Sequence, residues 1–137
     1  MKTCHMKKLL VSVLLLITVI IINSCVEKGR WPDNIHLSAK TVTFSADGDS
    51  VTIKTKGTWW WVSCVSVDST WYYNFTGVDP ESDNYKIKDA CFDVERRDKT
   101  TLFIKVYPNP NPIKRIITVG LEAGDYFDNV TVTQNPK

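Results

Sequence analysis

The sequence predicts an all-β fold, an antiparallel β-sandwich of about seven or eight strands, and three observations predict it. Beyond position 34, apolar and polar residues alternate with a period of two over short runs. Turn-forming residues break these runs at intervals of roughly 8–12 positions. Nowhere after Ser24 do apolar residues recur at the i, i+3, i+4, i+7 spacing of an amphipathic helix, so no crossover helices interleave the strands. The chain has 137 residues, and the part beyond position 24 is long enough for one modest core and no second domain.

Three segments follow in order: 1–24 as a signal peptide, 25–34 as a tether and 35–137 as the sandwich domain. Lys7 and Lys8 precede an apolar run over 9–22 interrupted only by Ser12 and Thr18. A basic start followed by an apolar helix of this length is a signal peptide, since a bilayer span needs roughly 20 residues; an uncleaved N-terminal anchor is the competing reading. The tether carries Gly29 and Pro32 and shows no apolar period. Residues 41–45 alternate through Val42 and Phe44, and Ala46-Asp47-Gly48-Asp49 supplies the turn. Val51 and Ile53 mark a second strand over 50–55. Runs at 59–67 and 71–75 are β-rich, and 76–84, with Gly77 and Pro80, reads as a polar loop. Residues 85–94 read as one strand or a pair broken near Asp89. Leu102, Ile104 and Val106 share a face of the strand over 100–107. Pro108, Pro110 and Pro112 end it, because proline cannot donate to a ladder. Segments 113–121 and 129–134 close the sheet across Ala123-Gly124-Asp125.

The apolar run ends in Ile22-Asn23-Ser24-Cys25, which resembles the bacterial lipobox. That resemblance implies cleavage before Cys25, a diacylglycerol on its thiol and acylation (typically palmitate) of its amine. Two or three acyl chains hold a domain on a membrane where one is marginal. The expected location is the cell envelope, on the outer membrane, with the periplasmic or surface face left open. In an oxidising compartment Cys64 and Cys91 remain available. One disulfide between them is the favoured expectation; two buried thiols are the alternative.

Leu37-Ser38 followed by Val42-Thr43-Phe44-Ser45, then Asp47-Gly48-Asp49-Ser50-Val51-Thr52-Ile53, a Trp60-x-Val62 strand, an Arg115-x-x-x-Val119 strand and a terminal Val130-Thr131-Val132-Thr133-Gln134 form a pattern. Together they resemble the BACON domain, the Bacteroidetes-associated carbohydrate-binding often N-terminal module. The resemblance implies an immunoglobulin-like sandwich in a cell-envelope lipoprotein and a role in glycan binding, with a spacer role as the alternative. The segment 68–98 is longer and more aromatic than the family pattern, and no catalytic domain follows, so a stand-alone module is expected. In this family the Trp-x-Val tryptophan is a core residue, which assigns Trp60 inward.

Charge and chemistry exclude several functions. Beyond position 24 the chain carries 14 basic and 15 acidic residues, so no basic surplus suits nucleic acid. The one histidine there is His36, and no Gly-x-Ser-x-Gly elbow exists, so no enzyme is expected; a small hydrolase using His36 is the remote alternative. Asp79, Glu81 and Asp83 alternate like the start of an EF-hand, but Asn84 and Ala90 occupy the Gly and Glu positions. No metal and no cofactor are expected.

Aromatic residues carry the functional content. Trp59, Trp60 and Trp61 cannot all face inward along a strand. With Trp60 inward, Trp59 and Trp61 point outward, and Trp71, Tyr72, Tyr73 and Tyr85 add further rings. Indole faces suit the apolar face of a pyranose, so Trp59, Trp61, Trp71, Tyr72 and Tyr73 are the candidate glycan-binding residues. The alternative is that 68–98 folds over Trp59 and Trp61 and buries them. The expected partners are a polysaccharide or other glycan, the membrane through Cys25, and envelope proteins. Asp49-Ser50-Val51 and Asp68-Ser69-Thr70 match the O-glycosylation pattern of this bacterial group, making Ser50 and Ser69 candidate sites.

Overall fold

The computed structural model describes residues 32–137. The signal peptide, Cys25 and most of the tether therefore lie outside the described residues. Nine strands and no helix make up the described part: β1 (Thr41–Phe44), β2 (Asp49–Lys54), β3 (Trp61–Val67), β4 (Thr70–Tyr72), β5 (Tyr85–Lys88), β6 (Phe92–Asp98), β7 (Thr101–Val106), β8 (Arg115–Ala123) and β9 (Tyr126–Gln134). A five-stranded sheet runs β1-β9-β8-β3-β4 and a four-stranded sheet runs β2-β7-β6-β5. Every pairing is antiparallel except β1 with β9, which is parallel. The fold is all-β and sandwich-like, with one strand more than the upper expectation. The segment 85–94 is a strand pair, with the Asp89 N–H donating to the Phe92 carbonyl across the break.

The inward faces are apolar for the period-two reason the sequence implies. Val62, Val65, Ile117, Val119, Leu121, Val130 and Val132 come from the larger sheet, and Ile53, Ile87, Phe92, Val94, Leu102 and Ile104 from the smaller one. All are buried. Trp60 fills the same core at 1 % exposure, and its Nε1–H donates to Thr55 Oγ1 at 3.0 Å and to the Lys99 carbonyl at 2.9 Å. Its inward assignment matches the expectation.

The disulfide expectation fails here. A β-bulge between Val62 and Cys64 inserts a residue, so Val65, not Cys64, takes the next inward position opposite Val119. Cys64 turns to the outer face and lies over Gly120, where any side chain would collide with its Sγ. Cys91 sits at the β5–β6 connection of the other sheet, and both thiols are free. The expected Cys64–Cys91 disulfide is therefore not formed: the bulge points one thiol away from the sheet that carries the other. Burial pushes the Cys91 thiol above its ordinary value, so it stays protonated.

Candidate functional site

The two sheets present opposite kinds of outer face. On the four-stranded sheet, Lys86 Nζ bridges Asp93 Oδ2 at 2.8 Å and Glu95 Oε1 at 2.9 Å, while Arg97 pairs with Glu95 and lies 3.5 Å over the Phe103 ring. Side chains there neutralise one another. The five-stranded sheet instead carries small polar side chains: Ser66, which is buried, Thr118 and Thr131 form one cross-strand row, with Thr41 opposite Thr131. The next row holds Cys64, Gly120 and Asn129.

Aromatic rings border this polar floor. Trp71 stands opposite Ser66 and stacks on Tyr73, with centroids 6.2 Å apart and planes at 11°. Trp71 is 52 % and Tyr73 60 % exposed. At the other end, Trp61, Glu122 and Phe127 form one cross-strand row. Phe127 is 65 % exposed. Trp59, 71 % exposed, rests against Gly124 in the β8–β9 turn. Gly124 adopts φ +63, a conformation an L side chain resists, and a Cβ there would meet the indole at 3.3 Å. The turn thus both closes the hairpin and seats Trp59. Trp59 and Trp61 meet at 74° with centroids 5.7 Å apart, an edge-on pair and not a coplanar platform.

Two grooves flank Trp61 and Pro80. The smaller, about 360 Å³, is bounded by Ser63, Asn74, Phe75 and Glu122. The larger, about 760 Å³, is lined by Trp59 and Trp61 together with Glu81, Asp83, Arg96 and Lys99. Arg96 belongs to β6, where period two puts it in phase with Phe92 and Val94, so the guanidinium is buried to 3 % exposure. It stacks 4.7 Å over Trp60 and donates to the Ser82 and Thr58 carbonyls, each at 3.0 Å. Asp83 lies 3.3 Å from Arg96 and 3.8 Å from Lys99. Arg96 Nε is buried without an acceptor among the described residues.

Of the candidate residues, the structure brings Trp59 and Trp61 together and Trp71 and Tyr73 together, all on the outer side of the five-stranded sheet. Tyr72 departs from them: it faces inward opposite Val65, edge-on to Phe92 at 6.5 Å. Tyr85 is likewise core, where its hydroxyl accepts the Val62 N–H at 2.8 Å; burial pushes its hydroxyl pKa up. Phe127 and Arg96 escaped the sequence reading. Starting the last strand at Asn129 cut Phe127 from its alternation with Asn129 and Thr131, and ending the 85–94 run early hid Arg96. Asp33, His36 and Ser38 line one shallow depression, with His36 Nδ1 3.9 Å from Asp33 Oδ2. Ser38 Oγ there accepts the Lys54 N–H, and among the described residues no hydrogen bond joins it to His36. Ser50 is exposed on β2 and Ser69 is exposed in the β3–β4 turn.

No protein-family model matches this chain, and no curated protein matches it. Among solved structures, the chain is similar to an NMR structure of a protein from Bacteroides thetaiotaomicron. The match has a TM-score of 0.64 and 20 % identity, and it covers 81 % of this chain and 94 % of that one. At that identity the likeness is one of fold: this chain folds as a β-sandwich that a Bacteroides protein shares.

Proposed function

We propose that this chain is a non-catalytic cell-envelope lipoprotein whose sandwich binds glycan on the outer face of its five-stranded sheet. One observation carries the reading: Trp59, Trp61, Trp71, Tyr73 and Phe127 all stand on that face, around a floor of hydroxyl and amide side chains. Exposed aromatics in such a cluster cost free energy in water unless a partner covers them. Pyranose C–H faces cover rings, and Ser, Thr and Asn exchange hydrogen bonds with sugar hydroxyls. The opposite sheet also carries the rings of Phe103 and Tyr107, but Arg97 and Lys105 lie over them.

The BACON resemblance and an immunoglobulin-like topology belong to the same proposal. The order β9-β8-β3 corresponds to G-F-C and β2-β7-β6 to B-E-D of that fold, which supports the likeness. Cys25 is the proposed lipid anchor, on the outer membrane, and Ser50 and Ser69 are accessible candidates for O-glycosylation.

A spacer or protein-interaction role in an envelope complex is the second reading, and the 74° angle between Trp59 and Trp61 favours it over a flat sugar platform. A glycan-array screen with Trp59→Ala and Trp71→Ala controls decides between the two. Glycan signals that fall in both variants support sugar binding; a blank array alongside a captured envelope protein supports the spacer.

A further inference from the structure

The larger groove narrows the class of glycan, an inference that rests on the glycan reading above. A polysaccharide that packs into flat crystals presents its pyranose planes in a common sheet. A site for such a face needs aromatic rings lying in one plane. Trp59 and Trp61 do the opposite: their planes meet at 74° with centroids 5.7 Å apart. They make a corner, in which a sugar stacked on one indole has its edge against the other. Both rings lie against the β8–β9 hairpin. Trp59 lies before β3 and is seated on Gly124, whereas Trp61 is held in register with Glu122 by the β3–β8 ladder.

Groove chemistry points the same way. Arg96 and Lys99 are matched by Glu81 and Asp83, so the lining suits no ion of a single sign. It suits hydroxyl groups, which donate to carboxylates and accept from cations. Arg96 Nε has no acceptor among the described residues, although its guanidinium is 97 % out of solvent contact by its 3 % exposure. That atom is closed to a ligand, so the groups open to sugar hydroxyls are the Asp83 carboxylate and the Lys99 ammonium, with Arg96 as the wall behind them. At about 760 Å³ the groove lies within the usual size of ligand sites.

We infer that the groove bounded by Trp59, Trp61, Asp83 and Arg96 binds an uncharged, soluble glycan chain where it turns, at an end, a branch or a helical bend, and does not bind crystalline polysaccharide. The test uses the full chain in a detergent that carries no sugar. Its migration is followed through gels containing amylopectin, laminarin or galactomannan, and its depletion by microcrystalline cellulose and by chitin is measured in parallel. Retardation in at least one soluble gel is expected, without crystalline depletion. Trp59→Ala should weaken that retardation about tenfold, the loss of one well-placed aromatic. Lys99→Ala, at an exposed position that leaves the core intact, should weaken it about threefold. Depletion by cellulose or chitin as strong as by the soluble chains overturns the inference, as does retardation indifferent to Trp59→Ala, and both leave glycan binding elsewhere on the sheet standing. Retention by none of the five polysaccharides overturns the inference and the glycan reading together.

Discussion

Three consecutive tryptophans have three fates, and local geometry assigns them. Trp60 is buried with two acceptors for its indole N–H, whereas Trp59 is mostly exposed. Truncating Trp60 removes a fully buried ring and leaves Arg96 without its stacking partner. Trp60→Ala should therefore cost about 3–5 kcal/mol of stability, against less than about 1 kcal/mol for Trp59→Ala; chemical denaturation of the two variants checks this. Tyr85 supplies a second residue-level expectation. Its hydroxyl is the acceptor for the Val62 amide beside the bulge, so Tyr85→Phe strands a buried N–H and should cost about 1–3 kcal/mol. An unchanged midpoint in urea would mean that water replaces the phenol. Alternation alone said that the three tryptophans could not share a face, and the Trp60-x-Val62 resemblance chose Trp60 as the inward one. Cys64 was not legible from sequence, since a one-residue bulge reverses parity and leaves no compositional mark.

At the scale of elements, most strands were legible because two-fold alternation and turn chemistry agree. Val51 and Ile53 of β2, and Leu102, Ile104 and Val106 of β7, face inward with Asp47-Gly48 as the preceding turn for β2. Legibility failed where a charge takes an inward position. β6 continues through Arg96 to Asp98, and nothing in a single sequence distinguishes a charge satisfied by carbonyls from the end of a strand. The parallel pairing of β1 with β9 was equally hidden, because register between strands so distant in sequence leaves no local signal. The β5–β6 hairpin also sets a pH response. Burial raises Asp93, but hydrogen bonds from Lys86 and Tyr107 outweigh it and hold the carboxyl below its ordinary 3.8; the Lys86 hydrogen bond chiefly holds Glu95 below 4.5. Both contribute stability that is present above those ordinary values and is lost as the pH falls through the lower folded ones. Lys86, raised by Asp93 and then Glu95, contributes stability that is present below its ordinary 10.5 and is lost as the pH rises through its folded value. Lys86→Ala should thus make the fall in melting temperature below pH 4.5 shallower. An acid limb identical to that of the parent chain would assign the pH dependence to other carboxylates.

For the whole molecule, the proposed function combines an anchor outside the described residues with a face inside them. Cys25→Ala should abolish acylation and move the protein from the detergent phase to the aqueous phase; unchanged partitioning would remove the lipoprotein assignment. The binding face makes a different demand. Beyond position 24 the chain holds 14 basic and 15 acidic groups, so the domain has little long-range field to steer a ligand. Binding energy must come from ring stacking and short hydrogen bonds, which salt does not screen. Calorimetric titration with a glycan identified on the array should give a dissociation constant of about 10–300 μM. That constant should change by less than about twofold between 0.05 and 0.5 M salt, because no net charge is neutralised. Trp59→Ala and Trp71→Ala should each weaken binding about tenfold while leaving the thermal melt near that of the parent. Phe127→Ala tests how far the site extends. Phe127 lies in one row with Glu122 and Trp61, so a ligand that extends from Trp61 across β8 to β9 meets it. A loss comparable to that for Trp59 would mean a surface continuous from β3 across β8 to β9, whereas no loss would confine the ligand to the groove side of Trp61. A strongly salt-dependent affinity would instead identify an ionic partner and remove the stacking account, since no aromatic contact responds to ionic strength in that way.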